Sequence, residues 1–252
     1  MIPIKDQNPT RTFPFVNYLL IAANIGAYVW QWLLMGQAGE SAIVAGYGLV
    51  PTRLLTDPLG EGFTVLTSMF MHGGLAHLGS NMLFLHIFGD NVEDSLGHGR
   101  YIGFYLLCGV VAAAGQILTG LDSPIAMVGA SGAISGVLGA YIVLFPRAPI
   151  TMFNFSIPIL WFFYGLFMSF PAYLVIGMYF LTNLVSGITS LGLPHTGGVA
   201  FFAHIGGFIA GLLLVRPFRV KQQESFQWAG WQPPPKRVRP ISQARYDAWR
   251  DR

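Results

Sequence analysis

Ser131 lies in Gly129-Ala130-Ser131-Gly132-Ala133-Ile134-Ser135-Gly136, at the mouth of an apolar run of membrane-span length. A second apolar run carries one histidine, His204, in Ala203-His204-Ile205-Gly206-Gly207. Strongly polar groups are costly in hydrocarbon, so those that persist there usually have a task. A serine hydroxyl becomes a nucleophile when a neighbouring base takes its proton, and neutral imidazole suits that role. A third run opens on His77 and Asn81, four residues apart and so on one helical face. Both can donate hydrogen bonds to an oxyanion, as can the Ser131 backbone N–H at a helix N-terminus. The runs holding Ser131 and His204 contain no Asp or Glu, so the pattern is a Ser–His dyad rather than a triad.

Holding such groups inside a bilayer requires membrane-spanning helices, and the composition supplies them. The chain is 53% hydrophobic and 10% charged, with mean hydropathy +0.54, whereas a soluble domain carries about 25% charged residues. Apolar windows fall at 14–35, 75–96, 101–120, 129–145, 168–188 and 199–217, each near the ~20 residues needed to cross. The expected fold is an all-α polytopic bundle of six transmembrane helices with a short fourth helix. Residues 1–13 form a cytoplasmic N-terminal segment and 14–217 the membrane domain. Residues 218–252 form a flexible basic tail, with Pro233-Pro234-Pro235 and Lys236-Arg237-Val238-Arg239. Six spans return both termini to one side. That side collects Lys5, Arg11, Arg100, Arg147 and the tail's basic residues, leaving Arg53 on the other, so the termini are cytoplasmic. The basic excess lies beside the membrane and argues against a nucleic-acid partner. The lone Cys108 excludes an internal disulfide.

Spans two, four and six then run inward from the outer face, which sets His77, Asn81, Ser131 and His204 in one layer. Ser131, Ser135 and Gly139 make a small-residue stripe on span four; His204, Gly207 and Gly211 make one on span six. Small stripes let helices approach closely in lipid, and packing the two together sets Ser131 beside His204.

Plainer uses stand beside these. A Gly-x-Ser-Gly in a membrane helix ordinarily serves packing. His72 lines the first external loop, about 36–74, in which Phe63 to Met71 lies along the interface. His86, His98 and His195 read as structural or solvated, and Asp90, Glu93 and Asp94 as the solvated inner end of span two. No HExxH or cysteine ligand set occurs, so neither a metal nor an organic cofactor is called for. A transporter would string its polar residues across the bilayer; here they gather in the outer third.

These residues resemble the rhomboid intramembrane serine proteases. Gly129-Ala130-Ser131-Gly132, Ala203-His204-Ile205-Gly206-Gly207 with Gly211, and His72-Gly73-Gly74 followed by His77 and Asn81 carry the likeness, which covers about residues 12–218. The resemblance implies Ser131 as nucleophile, His204 as its base, and oxyanion support from His77, Asn81 and the Ser131 backbone. It implies transmembrane protein substrates. The charge asymmetry sets the site on the extracytoplasmic side, and the composition resembles that of a bacterial inner-membrane protein. The alternative is a non-proteolytic relative that binds transmembrane clients. Two features depart from the pattern. Ser135 stands where some members carry a tyrosine that stacks on the histidine, and a Trp-Arg pair of the first loop has no clear counterpart.

Overall fold

The computed structural model describes residues 1–154, 165–191 and 199–219. Numbered along these residues, the long helices are α1 (Phe15–Ala38), α6 (Leu75–Leu96), α7 (His98–Leu118), α8 (Ser131–Leu144), α9 (Ala172–Ser190) and α10 (Phe201–Phe218). Each falls on one of the six apolar windows. Four of them, α1, α7, α9 and α10, are long and apolar enough to cross a membrane. α6 carries His77, Asn81, Asp90, Glu93 and Asp94 and is correspondingly less apolar. α8 has 14 residues, or about 21 Å at 1.5 Å per residue, less than the ~30 Å hydrocarbon core.

Short helices fill the first loop: α2 (Glu40–Tyr47), α3 (Pro51–Thr56), α4 (Pro58–Glu61) and α5 (Thr64–Thr67). The expectation of an interfacial stretch over Phe63 to Met71 holds only in part. Phe63 and Leu66 are exposed, but Met69 and Met71 are buried in the body of the protein. The loop also braces the approach to Ser131. Leu49 and Met127 exchange backbone bonds of 3.0 and 2.7 Å, and Gly129 N–H donates to Ser68 O at 2.9 Å.

Two readings of the sequence are corrected. The chain is mostly helical but not all-α, because β1 (Ile2–Asp6), β2 (Pro149–Phe153) and β3 (Phe167–Pro171) form an antiparallel sheet in the order β1-β2-β3. Ile2 pairs with Phe153 and Asp6 with Ile150, while Pro149 to Phe153 pair with Pro171 to Phe167. The N-terminal segment thus carries the edge strand of this sheet. The pairing partner of β1 is about 145 residues away, so no local pattern discloses it. Phe218, expected to open the tail, is the last residue of α10; the rest of that tail from 220 onward, and His195, lie outside the described residues.

The second correction concerns the inner end of α6. Glu93 is fully buried, and its carboxylate accepts from Val16 N–H at 2.9 Å and Asn17 N–H at 2.6 Å. It also pairs with His98. Asp94 accepts from Thr12 N–H at 3.0 Å and Thr12 Oγ1 at 2.6 Å. The first amides of a helix have no partner within it, and carboxylates suit its positive end. Glu93 caps α1 and Asp94 holds Thr12 just ahead of it, instead of facing solvent. Gly97, at φ 76°, closes α6 and opens α7 with one residue between them, a conformation that suits glycine.

Long-range bonds tie corresponding helix ends together. The end of α6 meets the start of α1 through Glu93. The start of α7 meets the end of α10 through Arg100, which donates to Arg219 O at 3.2 Å. The end of α8 meets β1 through Tyr141 Oη, which donates to Asp6 Oδ2 at 2.7 Å. Tyr173 N–H, at the start of α9, donates to Pro146 O at 2.9 Å. The six long helices therefore alternate in direction, and the mouths of α6, α8 and α10 share the opposite face. The core runs through α6, α7, α8 and α10, around Phe88, Tyr101, Phe104, Tyr105 and Tyr141.

Candidate active site

α8 and α10 are in backbone contact, and glycine makes that possible. A Cβ added at Gly207 would lie 2.0 Å from Gly132 O, and one at Gly211 would lie 1.9 Å from Gly136 O. The span-six stripe is the expected one. The face it meets on α8 is Gly132, Gly136 and the expected Gly139, where an added Cβ would lie 2.3 Å from Phe208 O, while Ser135 is one position out of it. The helical rotation that puts those glycines in the seam turns Ser135 toward α9, where its hydroxyl lies 2.8 Å from Tyr179 Oη and also donates to Ser131 O at 2.8 Å.

Close approach brings Ser131, the first residue of α8, against His204, in the first turn of α10. His204 Nε2 and Ser131 Oγ are 2.8 Å apart. The height of His204 is set from α7. Gln116 Oε1 accepts from Phe202 and Ala203 N–H at 3.1 and 3.2 Å, capping α10 where the sequence offers no Ser, Thr, Asp or Asn at its start.

His77 reaches the same place from α6. A Cβ on Gly129, which has φ 127°, would meet His77 Cε1 and Nε2 at 2.8 Å and Ser131 Oγ at 3.6 Å. Only glycine leaves room there for the ring. Gly73 N–H donates to His77 Nδ1 at 3.3 Å, so in neutral His77 the proton sits on Nε2, the nitrogen beside Gly129. Asn81 is one turn further along α6. Its Nδ2 is buried with no hydrogen-bond partner among the described residues. All four predicted residues line one cavity of about 1010 Å³, walled also by Phe84 and Tyr179.

His72 is fully buried rather than lining the loop. Its backbone is held by Gln31, which donates to His72 O at 2.7 Å and accepts from His72 N–H at 3.1 Å. Its ring meets that of His77 edge-on, with centroids 5.2 Å apart. Burial first, then the neighbouring His77, lowers its pKa to about 4, so His72 is neutral at ordinary pH.

Two contacts to the His204 ring escaped the sequence reading, and both come from α9. Asn183 Oδ1 lies 2.6 Å from His204 Nδ1. Tyr179 lies beside the imidazole, with centroids 6.1 Å apart and planes at 35°. An aromatic neighbour for the histidine is therefore present, from a different helix than the resemblance implies, with Ser135 holding its hydroxyl. The available signal was a lone amide in an apolar span, four residues after a tyrosine.

Residues 59–220 match the family model for the rhomboid domain, which is more than half of the chain. The chain is 34% identical over 151 residues to "Rhomboid protease GluP" of Bacillus subtilis, covering 57% of this chain and 29% of that protein. It is 28% identical over 185 residues to "Rhomboid protein 1, mitochondrial" of Saccharomyces cerevisiae, covering 70% and 49%. It is 36% identical over 156 residues to "RHOMBOID-like protein 4" of Arabidopsis thaliana, covering 61% and 33%. The chain thus spans less than half the length of each of these relatives. Family match and apolar helices together make it a multi-pass membrane protein. It belongs to the rhomboid family.

Proposed function

We propose that this rhomboid-family chain is an intramembrane serine endopeptidase, with Ser131 as nucleophile and His204 as general base, cutting transmembrane segments of membrane-anchored proteins. The observation that carries the reading is the 2.8 Å approach of His204 Nε2 to Ser131 Oγ inside a cavity large enough for a peptide segment. Six spans are inferred, with α6 and the short α8 crossing among their neighbours. Both termini are then cytoplasmic and the cavity opens on the other side.

The steps follow from the atoms present. A substrate helix enters from lipid near α9 and unwinds locally, because an amide carbonyl bonded within a helix is not open to attack. Ser131 Oγ attacks the carbonyl carbon and its proton passes to His204 Nε2. The carbonyl oxygen takes the negative charge, and three donors are placed for it. They are His77 Nε2–H, the Asn81 amide, which has no partner among the described residues, and the Ser131 backbone N–H, free of an intrahelical partner as the first of α8. His204 then protonates the leaving nitrogen. Water attacks the acyl-Ser131 ester, giving its proton to His204, which returns it to Ser131 Oγ as the second product leaves. Water reaches this depth because α8 is short and its N-terminus lies below the membrane surface.

The test is reconstitution in liposomes with a single-span reporter whose membrane segment contains Gly and Pro. The wild-type chain is expected to yield two fragments, and Ser131→Ala none, with no effect of a metal chelator. Binding of the reporter without fragments, unchanged by Ser131→Ala, would instead favour a non-proteolytic client binder.

A further inference from the structure

We infer that Asn183 is a positioning residue that completes the base, so the reacting set is Ser131–His204–Asn183, drawn from three helices. The inference rests on the proposed roles of Ser131 and His204. Neutral imidazole can serve Ser131 only if the nitrogen facing it has a lone pair, which requires the proton to sit on the other nitrogen. Nothing on α8 or α10 enforces that choice, and Asn183 does.

Asparagine oxygen and nitrogen are told apart by their partners. Here Asn183 Nδ2 donates to Tyr179 O, one turn back on α9, at 2.8 Å. A carbonyl can only accept, so the NH₂ end must face it, and Oδ1 is left facing His204 Nδ1 at 2.6 Å. Oδ1 can only accept, so the proton is on Nδ1, and Nε2 presents its lone pair to Ser131 at 2.8 Å. The chain Tyr179 O, Asn183, His204, Ser131 is thereby polarised in one direction. Asn183 is buried, so little water competes for Nδ1. His77, whose Nδ1 accepts from Gly73, is fixed in the opposite tautomer. The two imidazoles of the cavity are thus set as one acceptor and one donor.

The consequence is that the base is complete only while α9 is docked against α10. The test uses the full chain in detergent and a fluorophosphonate probe, with the maximal labelling rate separated from the probe's apparent affinity by saturation kinetics. Asn183→Leu keeps the volume and removes the acceptor. It is expected to slow maximal labelling by about 10²-fold, since losing an orienting partner of a catalytic histidine has a large effect on rate, with affinity within about twofold. Asn183→Asp is expected to stay within about tenfold of wild type. A protonated carboxyl can donate to Tyr179 O while its other oxygen accepts from Nδ1. Nitrogen-15 spectra of histidine-labelled protein should show Nδ1 protonated in wild type and Asn183→Asp, and mixed tautomers in Asn183→Leu.

A merely structural Asn183 would lower the melting temperature in both variants and leave the tautomer unchanged. That result, or wild-type labelling by Asn183→Leu, overturns the inference while leaving Ser131 and His204 in place. Labelling that persists in Ser131→Ala removes the underlying reading instead, so the two failures are distinguishable.

Discussion

The two ends of α6 both carry polar side chains and use them in opposite ways. At the inner end, Glu93, Asp94 and Asn91 are paired within the protein: Glu93 caps α1, Asp94 accepts from Thr12, and Asn91 Nδ2 donates to Asp6 Oδ2 at 2.9 Å. At the outer end, Asn81 keeps a buried amide with no partner among the described residues, and His77 turns a donor nitrogen toward a cavity. A buried donor left unpaired costs about 1–3 kcal/mol. A fold that satisfies its polar groups at one end of a helix and not at the other has reserved the second end for something that arrives later. Polar residues in a membrane helix therefore divide by whether their partners are already in place.

The comparison predicts separable signatures, stability at the inner end and rate at the outer. The largest effect is expected from Glu93→Ala. It strands the Val16 and Asn17 amides where α1 begins, at about 4 kcal/mol for two buried donors. Thermal melts should show a marked loss, while the labelling rate of the protein still folded stays near wild type.

A pH dependence at the same end comes next. Burial first, and then the charge of Asp90, push the Asp6 carboxyl up from 3.8 to about 7, against the opposing effects of Tyr141 and Lys5. The folded chain thus holds a proton that the unfolded chain releases above about pH 4. The contribution of Asp6 is therefore most favourable below pH 4, falls as pH rises, and levels off above about 7. At most about 4 kcal/mol is involved, at 1.36 kcal/mol per pKa unit. Asp6→Asn should flatten this part of the melting-temperature profile; an unchanged slope would place the titration elsewhere.

At the outer end, Asn81→Ala should slow labelling by about 10²–10³-fold, or roughly 2.7–4 kcal/mol of barrier, as for loss of one oxyanion donor. It should leave the melting temperature within a degree or two, because the Asn81 amide has no bond to lose among the described residues. A large drop in melting temperature would erase the contrast between the two ends. The smallest effect is expected from Tyr179→Phe. It removes the hydroxyl from Ser135 but keeps the ring beside His204, a change of about 1 kcal/mol read as a few-fold drop in labelling.

The same contrast explains what the sequence disclosed. Ser131, His204, His77 and Asn81 were legible because each is polar in an apolar run and each starts a helix from the same side. The six windows were legible because hydropathy is a local property. Asn183 and Gln116 were not singled out, since an amide gives no sign of which distant helix it will meet. The buried role of Glu93 was hidden because a carboxylate near a span end ordinarily faces water. The sheet was hidden because its strands gain their identity from partners far along the chain. Ser135 was placed one position wrong in the seam, since the stripe motif does not specify which of two adjacent small faces turns to α10.

The most direct measurement is fluorophosphonate labelling of the full-length protein, with the modified residue located by peptide mass analysis. The account predicts covalent labelling at Ser131, absent in Ser131→Ala and slowed at least about 10³-fold in His204→Ala, as for loss of a general base. Labelling at another residue, or labelling undiminished in His204→Ala, would contradict it.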